Sequence, residues 1–179
     1  MNSDRVYIIV ICEDVGHKSF VINFLKNLGF TERNYRILDK KTGGDGYQFI
    51  CSQLSVEFPE YIRNRNRVKQ CLIAFTDAEP KKISAEDRVK DMSKHFERSR
   101  DDKVLYIVSK RCVETWVHYL IGEEASEDEE KRHHTGAHTK TKEAVYRLNR
   151  ICTNQEPTPG NFLPSLQLAC KEFKERFPE

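Results

Sequence analysis

The stretch Val6-Tyr7-Ile8-Ile9-Val10-Ile11-Cys12-Glu13-Asp14 decides the fold. Seven uncharged residues, most of them β-branched, suit a strand buried on both faces, as in a parallel sheet. Glu13 then ends an apolar run. Burying a carboxylate is costly unless it is paired or holds a metal, so Glu13 is either a functional group or the first exposed residue of a loop. Two later segments repeat the pattern. Cys71-Leu72-Ile73-Ala74-Phe75-Thr76 runs into Asp77-Ala78-Glu79, and Val104-Leu105-Tyr106-Ile107-Val108 is followed by Lys110 and Glu114. In an open α/β sheet, ligands bind beyond the carboxyl ends of the strands. If these strands are parallel neighbours, Glu13, Asp14, Asp77, Glu79 and Glu114 converge. Such a set of oxygens suits Mg²⁺ or Mn²⁺ and phosphate chemistry.

Between the strands the periodicity turns helical. Phe20, Phe24 and Leu28, with Val21 and Leu25, form one stripe, and Gly29 is the stop. Asp14 could simply cap this helix, and His17 reads as a solvent-facing residue of its first turn. Tyr35–Leu38 is a short strand. The glycine-rich segment 42–46, with Lys40 and Lys41 beside it, is a loop that either approaches phosphate or merely connects. Tyr47 to about Arg63 reads as a helix that kinks or ends at Pro59. Ser84 caps a helix carrying Val89, Met92 and Phe96, and Cys112–Ile121 is another. The βαβαβαβα order predicts an α/β fold over residues 1–121: a mostly parallel four-stranded sheet with helices on both faces. Residues 122–142 read as an exposed acidic, histidine-containing loop or insert. Residues 143–179 read as a C-terminal helical extension packing on the core. In it a helix resumes from Lys142, and a last one starts at Pro164 with Leu166, Ala169, Phe173 and Phe177 inward.

The formal net charge of +2 excludes nothing by itself. Its distribution says more, because Arg63, Arg65, Arg67 and Lys69 form a basic cluster able to hold phosphates, or a merely solvated face. The six cysteines contain no CxxC pair, no secretory signal precedes the first strand, and no apolar run reaches the roughly 18 residues of a membrane span. These features read as a soluble protein of the cytoplasm, a reducing compartment. His133, His134 and His138 lack the cysteine or carboxylate spacing of a closed zinc set.

Val10-Ile11-Cys12-Glu13-Asp14 and Ala74-Phe75-Thr76-Asp77-Ala78-Glu79 resemble the two acidic motifs of the Toprim domain, found in topoisomerases, bacterial primases, small ribonucleases and overcoming-lysogenization-defect nucleases. Val108-Ser109-Lys110-Arg111-Cys112-Val113-Glu114-Thr115-Trp116 is similar to a strand-then-Glu-x-Trp block of small stand-alone Toprim-like proteins. The resemblance spans about residues 5–121 and departs at Glu79, where the family has Asp. It implies Glu13 as general acid/base, Asp77 and Glu79 as Mg²⁺ ligands, Glu114 as a further ligand or orienting carboxylate, and Lys110 on phosphate. The activity implied is a metal-dependent nuclease or phosphotransfer domain acting on DNA or RNA. A phage-defence or mobile-element setting fits it, and there a protein partner such as an ATPase, or a homo-oligomer, has a place. Two alternatives share the same pattern. One is a non-catalytic binding module of this fold, favoured by Glu79. The other is a phospho-receiver-like regulator with Asp77 as acceptor and Lys110 beside it.

Overall fold

The computed structural model describes residues 6–40, 43–78, 83–127 and 137–178. In chain order these form β1 (Tyr7–Cys12), α1 (Val15–Asn27), β2 (Tyr35–Asp39), α2 (Gly46–Asn64), β3 (Gln70–Asp77), α3 (Ala85–His95), β4 (Val104–Ser109), α4 (Val113–Leu120), α5 (Ala137–Cys152) and α6 (Pro164–Arg176). The four strands pair in parallel in the order β2-β1-β3-β4. Side chains alternate across a strand, which sorts the core into two layers. Ile8, Val10 and Cys12 pack with residues of α1, α4, α5 and α6, while Ile9 and Ile11 pack with residues of α2 and α3. Both faces of β1 are therefore buried, as its unbroken apolar run requires. The expected α/β architecture with helices on both faces and C-terminal helices is what forms.

Local chemistry fixes the helix ends. Asp14, Asp45 and Ser84 each accept a hydrogen bond from the backbone N–H three residues on, a cap worth about 1 kcal/mol. Gly29 closes α1 with φ +89°, and the Phe30 N–H returns to Leu25 O at 3.0 Å. The helix read over Tyr47 to about Arg63 forms as α2, which runs through Pro59 to Asn64 rather than ending there. A helix-interior proline costs about 3 kcal/mol. Burying Ile50, Leu54 and Tyr61 on the same helix returns about 1.5–3 kcal/mol for each large apolar side chain and outweighs it.

β4 lies at one edge of the sheet, and α6 packs against it. Arg98 donates to Val104 O at 2.5 Å and to both Glu172 oxygens at 2.5 and 3.0 Å. Glu172 in turn accepts from the Tyr106 N–H at 3.3 Å. A buried ion pair thus occupies backbone groups that an edge strand would otherwise offer to another chain.

The C-terminal part is more integrated than expected. α5 begins at Ala137 rather than near Lys142, and Glu127, inside the segment read as an exposed loop, is buried. The Trp116 indole N–H donates to Ser165 Oγ at 2.7 Å, and the Ser165 hydroxyl donates to Glu127. Burial pushes the Glu127 carboxyl up. Cys152 and Cys170 are joined by a disulfide between α5 and α6, a pairing that a reducing-compartment reading does not anticipate. His133 and His134 lie outside the described residues, as does the side chain of His138. Among the described residues, no helix is long and apolar enough to cross a membrane.

Candidate metal centre

Because β1 and β3 are paired neighbours, the chain segments leaving their carboxyl ends meet. Glu13 stays tied to β3. Its N–H donates to Phe75 O at 3.2 Å, and its Oε2 accepts from the Thr76 hydroxyl at 2.6 Å and the Asp77 N–H at 3.0 Å. Thr76 is fully buried, so its hydroxyl needs this partner. The first turn of α2 closes over the same carboxylate. A Cβ at Gly46 would lie 2.0 Å from Glu13 Oε1 and 2.1 Å from its Cγ. Only glycine allows that approach.

His17 is the residue that sequence reading misplaced. It does not face solvent; it has no exposed surface. Its backbone N–H and Nδ1 both meet Asp14 Oδ1 at 2.9 Å, and its Nε2 meets Asp77 Oδ1 at 3.1 Å. Its ring stands edge-on to Phe75, with centroids 4.5 Å apart. The signal was present: His17 precedes Phe20, Val21 and Phe24 by three, four and seven residues and so lies on their inward stripe. Burial alone would lower the His17 pKa, but Asp77 and Asp14 reverse this and push it up to about 10. Burial likewise works against the ionised form of Asp14, yet its hydrogen bonds from His17 hold it down at about 2. Burial raises Asp77, opposed by His17 and by the Ser109 hydroxyl, which donates to Asp77 Oδ1. Asp77 and His17 therefore titrate as a unit, and in the absence of a cation the imidazolium form of His17 binds the two carboxylates.

Glu13, His17 and Asp77 each offer one ligand atom, and these atoms all lie within 4.8 Å of one another. Ligands bound at about 2.0–2.2 Å from one ion lie up to about 4.4 Å apart, so a small contraction would seat a cation. The set is two carboxylates and one imidazole. That donor chemistry suits Mn²⁺, Fe²⁺ or Zn²⁺ at least as well as the expected Mg²⁺.

The other expected residues divide. Asp14 caps α1 and holds His17. Glu114, in the first turn of α4, lies close to Gly16: a Cβ there would be 3.0 Å from Glu114 Oε1 and 3.2 Å from Asp14 Oδ1. Lys110 lines a cavity of about 590 Å³ that also includes Glu123, Glu124 and Glu127, and its charge acts on Glu127. Lys40 donates to Gly44 O and so closes its own loop. Glu79 and Lys41 lie outside the described residues. Arg63, Arg65 and Arg67 are not brought to the carboxylates. They sit where α2 ends and β3 begins, and 19 helical residues separate them from Gly46 by roughly 28 Å. Arg63 pairs with Glu60 at 2.9 Å and Arg65 with Asp102 at 2.5 Å.

No protein-family model, curated sequence or solved structure matches the chain.

Proposed function

We propose that this rim is a divalent-cation centre for phosphodiester chemistry on DNA or RNA, a metal-dependent nuclease or phosphotransfer activity of the kind the Toprim resemblance implies. The observation that carries it is the convergence of Glu13, His17 and Asp77, drawn from two strand ends and a helix start, within 4.8 Å. A cation held there supplies charge to neutralise a phosphate oxygen. Glu13, with Oε2 fixed by Thr76 and Asp77 N–H, presents Oε1 at a set position. Asp77 is oriented by Ser109. To hold a cation, His17 would have to give up the Nε2 proton it shares with Asp77 and offer that nitrogen, while Nδ1–H stays on Asp14 and fixes the ring.

A specific observation favours a second reading. Asp77 Oδ1 is already engaged by both His17 and Ser109, so the same network can join β3, β4 and α1 without any cation, in a non-catalytic module. One experiment separates the two. Mn²⁺, Mg²⁺ and Zn²⁺ are titrated calorimetrically into the wild type and Asp77→Asn, and cleavage of plasmid, single-stranded DNA and RNA is assayed in parallel. The proposal expects binding and cleavage in the wild type and loss of both in Asp77→Asn. Cleavage indifferent to Asp77 refutes it; absence of both binding and cleavage refutes it and supports the cation-free module; binding without cleavage leaves a metal site and refutes the phosphodiester activity.

A further inference from the structure

The basic turn after α2 takes no part in the carboxylate rim, yet its surroundings form a site of their own. Residues 65–69 are all exposed, and the turn is held by Arg67 and Val68 N–H donating to Asn64 O at 2.8 and 3.0 Å. Val68, 51% exposed, stands between two cations. Beside it a groove of about 680 Å³ opens at the amino-terminal pole of the sheet, lined in part by Arg65, Lys69, Lys103 and Lys174. Three carboxylates also line it, Asp101, Asp102 and Glu175, but Asp102 is neutralised by Arg65 and by donors from Ser99. Among the described residues, neither Arg67 nor Lys69 is ion-paired.

We infer that this pole is an anchoring surface for a nucleic-acid backbone, and that a strand reaching the carboxylate rim is held here as well. Closely spaced cations with an amide, Asn66, and an exposed apolar side chain match phosphate, sugar and base edge in turn. A rim of carboxylates repels phosphate wherever a cation does not mask it, so binding energy must come from elsewhere on the molecule. The two poles are roughly 28 Å apart along α2, which corresponds to about 8 base pairs at 3.4 Å each. The anchoring does not depend on the metal reading; only the spacing rests on it.

The test has two arms. In the first, fluorescence anisotropy follows labelled duplex DNA, single-stranded DNA and RNA in EDTA at two salt concentrations, for wild type, Asp77→Asn, Arg67→Glu/Lys69→Glu and the milder Arg67→Gln/Lys69→Gln. The charge-reversed variant is expected to bind about tenfold more weakly, with a salt slope shallower by about 2. The glutamine variant should be intermediate and Asp77→Asn, which removes a charge from the rim, should bind at least as tightly as wild type, with all circular dichroism spectra alike. Equal isotherms for wild type and both basic-turn variants overturn the inference. So does a wild type that captures polyglutamate and no polynucleotide, which would mark an acidic protein as the occupant. In the second arm, cleavage of duplexes of about 24 and about 6 base pairs is compared. The charge reversal should raise KM on the long substrate and leave the short one unaffected. If nothing is cleaved but binding still depends on Arg67 and Lys69, the anchor stands and the metal reading falls.

Discussion

Replacing Gly46 with alanine tests how the site is built. The new Cβ would sit 2.0 Å from Glu13 Oε1, 2.1 Å from Cγ and 2.2 Å from Cδ, and Cβ atoms essentially never come closer than 3.0 Å. Glu13 must therefore retreat by at least 1.0 Å. Coordination distances at such sites hold to about ±0.2 Å, so the displaced carboxylate no longer fits the His17–Asp77 pair. It also leaves the Thr76 hydroxyl and the Asp77 N–H, donors worth about 1.5–3 kcal/mol each to a charged acceptor. The carboxylate regains water as it swings out, and alanine favours the helix by up to about 1 kcal/mol. The buried Thr76 hydroxyl and the Asp77 N–H are left without this partner, so the net loss of stability is about 2–5 kcal/mol. The site suffers as well, with Mn²⁺ affinity falling about 10- to 100-fold. Calorimetry and urea denaturation on the same samples separate the two effects. Glu13→Asp combined with Gly46→Ala removes the methylene in the way, and should recover part of the affinity that either change alone loses. An alanine variant that binds Mn²⁺ as well as wild type would refute the assigned seat of Glu13.

His17 has its pKa raised from 6.5 to about 10, so its ion pairs contribute fully below pH 6.5 and the contribution is lost as pH rises through 10. In EDTA, the stability gap between wild type and His17→Gln should shrink across that window in denaturant titrations; a constant gap contradicts the buried imidazolium. Glu172→Ala strands Arg98 in the core and should cost about 3–5 kcal/mol, with more light scattering from the uncovered β4 edge; the Arg98→Met/Glu172→Leu pair should regain most of it. Reducing the Cys152–Cys170 disulfide, whose cysteines are 18 residues apart, should cost about 3 kcal/mol. An unchanged Tm in dithiothreitol would show that this link contributes nothing.

The sheet was legible because its signal is local. β1, β3 and β4 are apolar runs with charged or polar ends, and the caps at Asp14 and Ser84 announce themselves by residue type. Glu13 and Asp77 were legible for the same reason, as carboxylates at strand ends. His17 was not, because polarity was allowed to decide where helical phase should have. Gly46 was read as part of a loop that approaches phosphate or merely connects, since its constraint is a contact with a residue far away in the chain. The basic cluster was visible as composition, but its distance from the carboxylates follows from strand direction: the turn after α2 enters β3 at the amino end, while Asp77 leaves at the other. The burial of Glu127 depends on Trp116 and Ser165, which local patterning in 122–142 could not reveal.

The centre has a consequence for how the molecule comes into being. Glu13 and the Asp77 amide that holds it are 64 residues apart, so a ribosome that has released β1, α1 and α2 has made a carboxylate and an imidazole with nothing to close upon. Only when β3 slots in beside β1 does the pocket exist. If the proposed cation binds there, its uptake by nascent chains of increasing length would switch on abruptly after β3 emerges and would report the moment the sheet is completed.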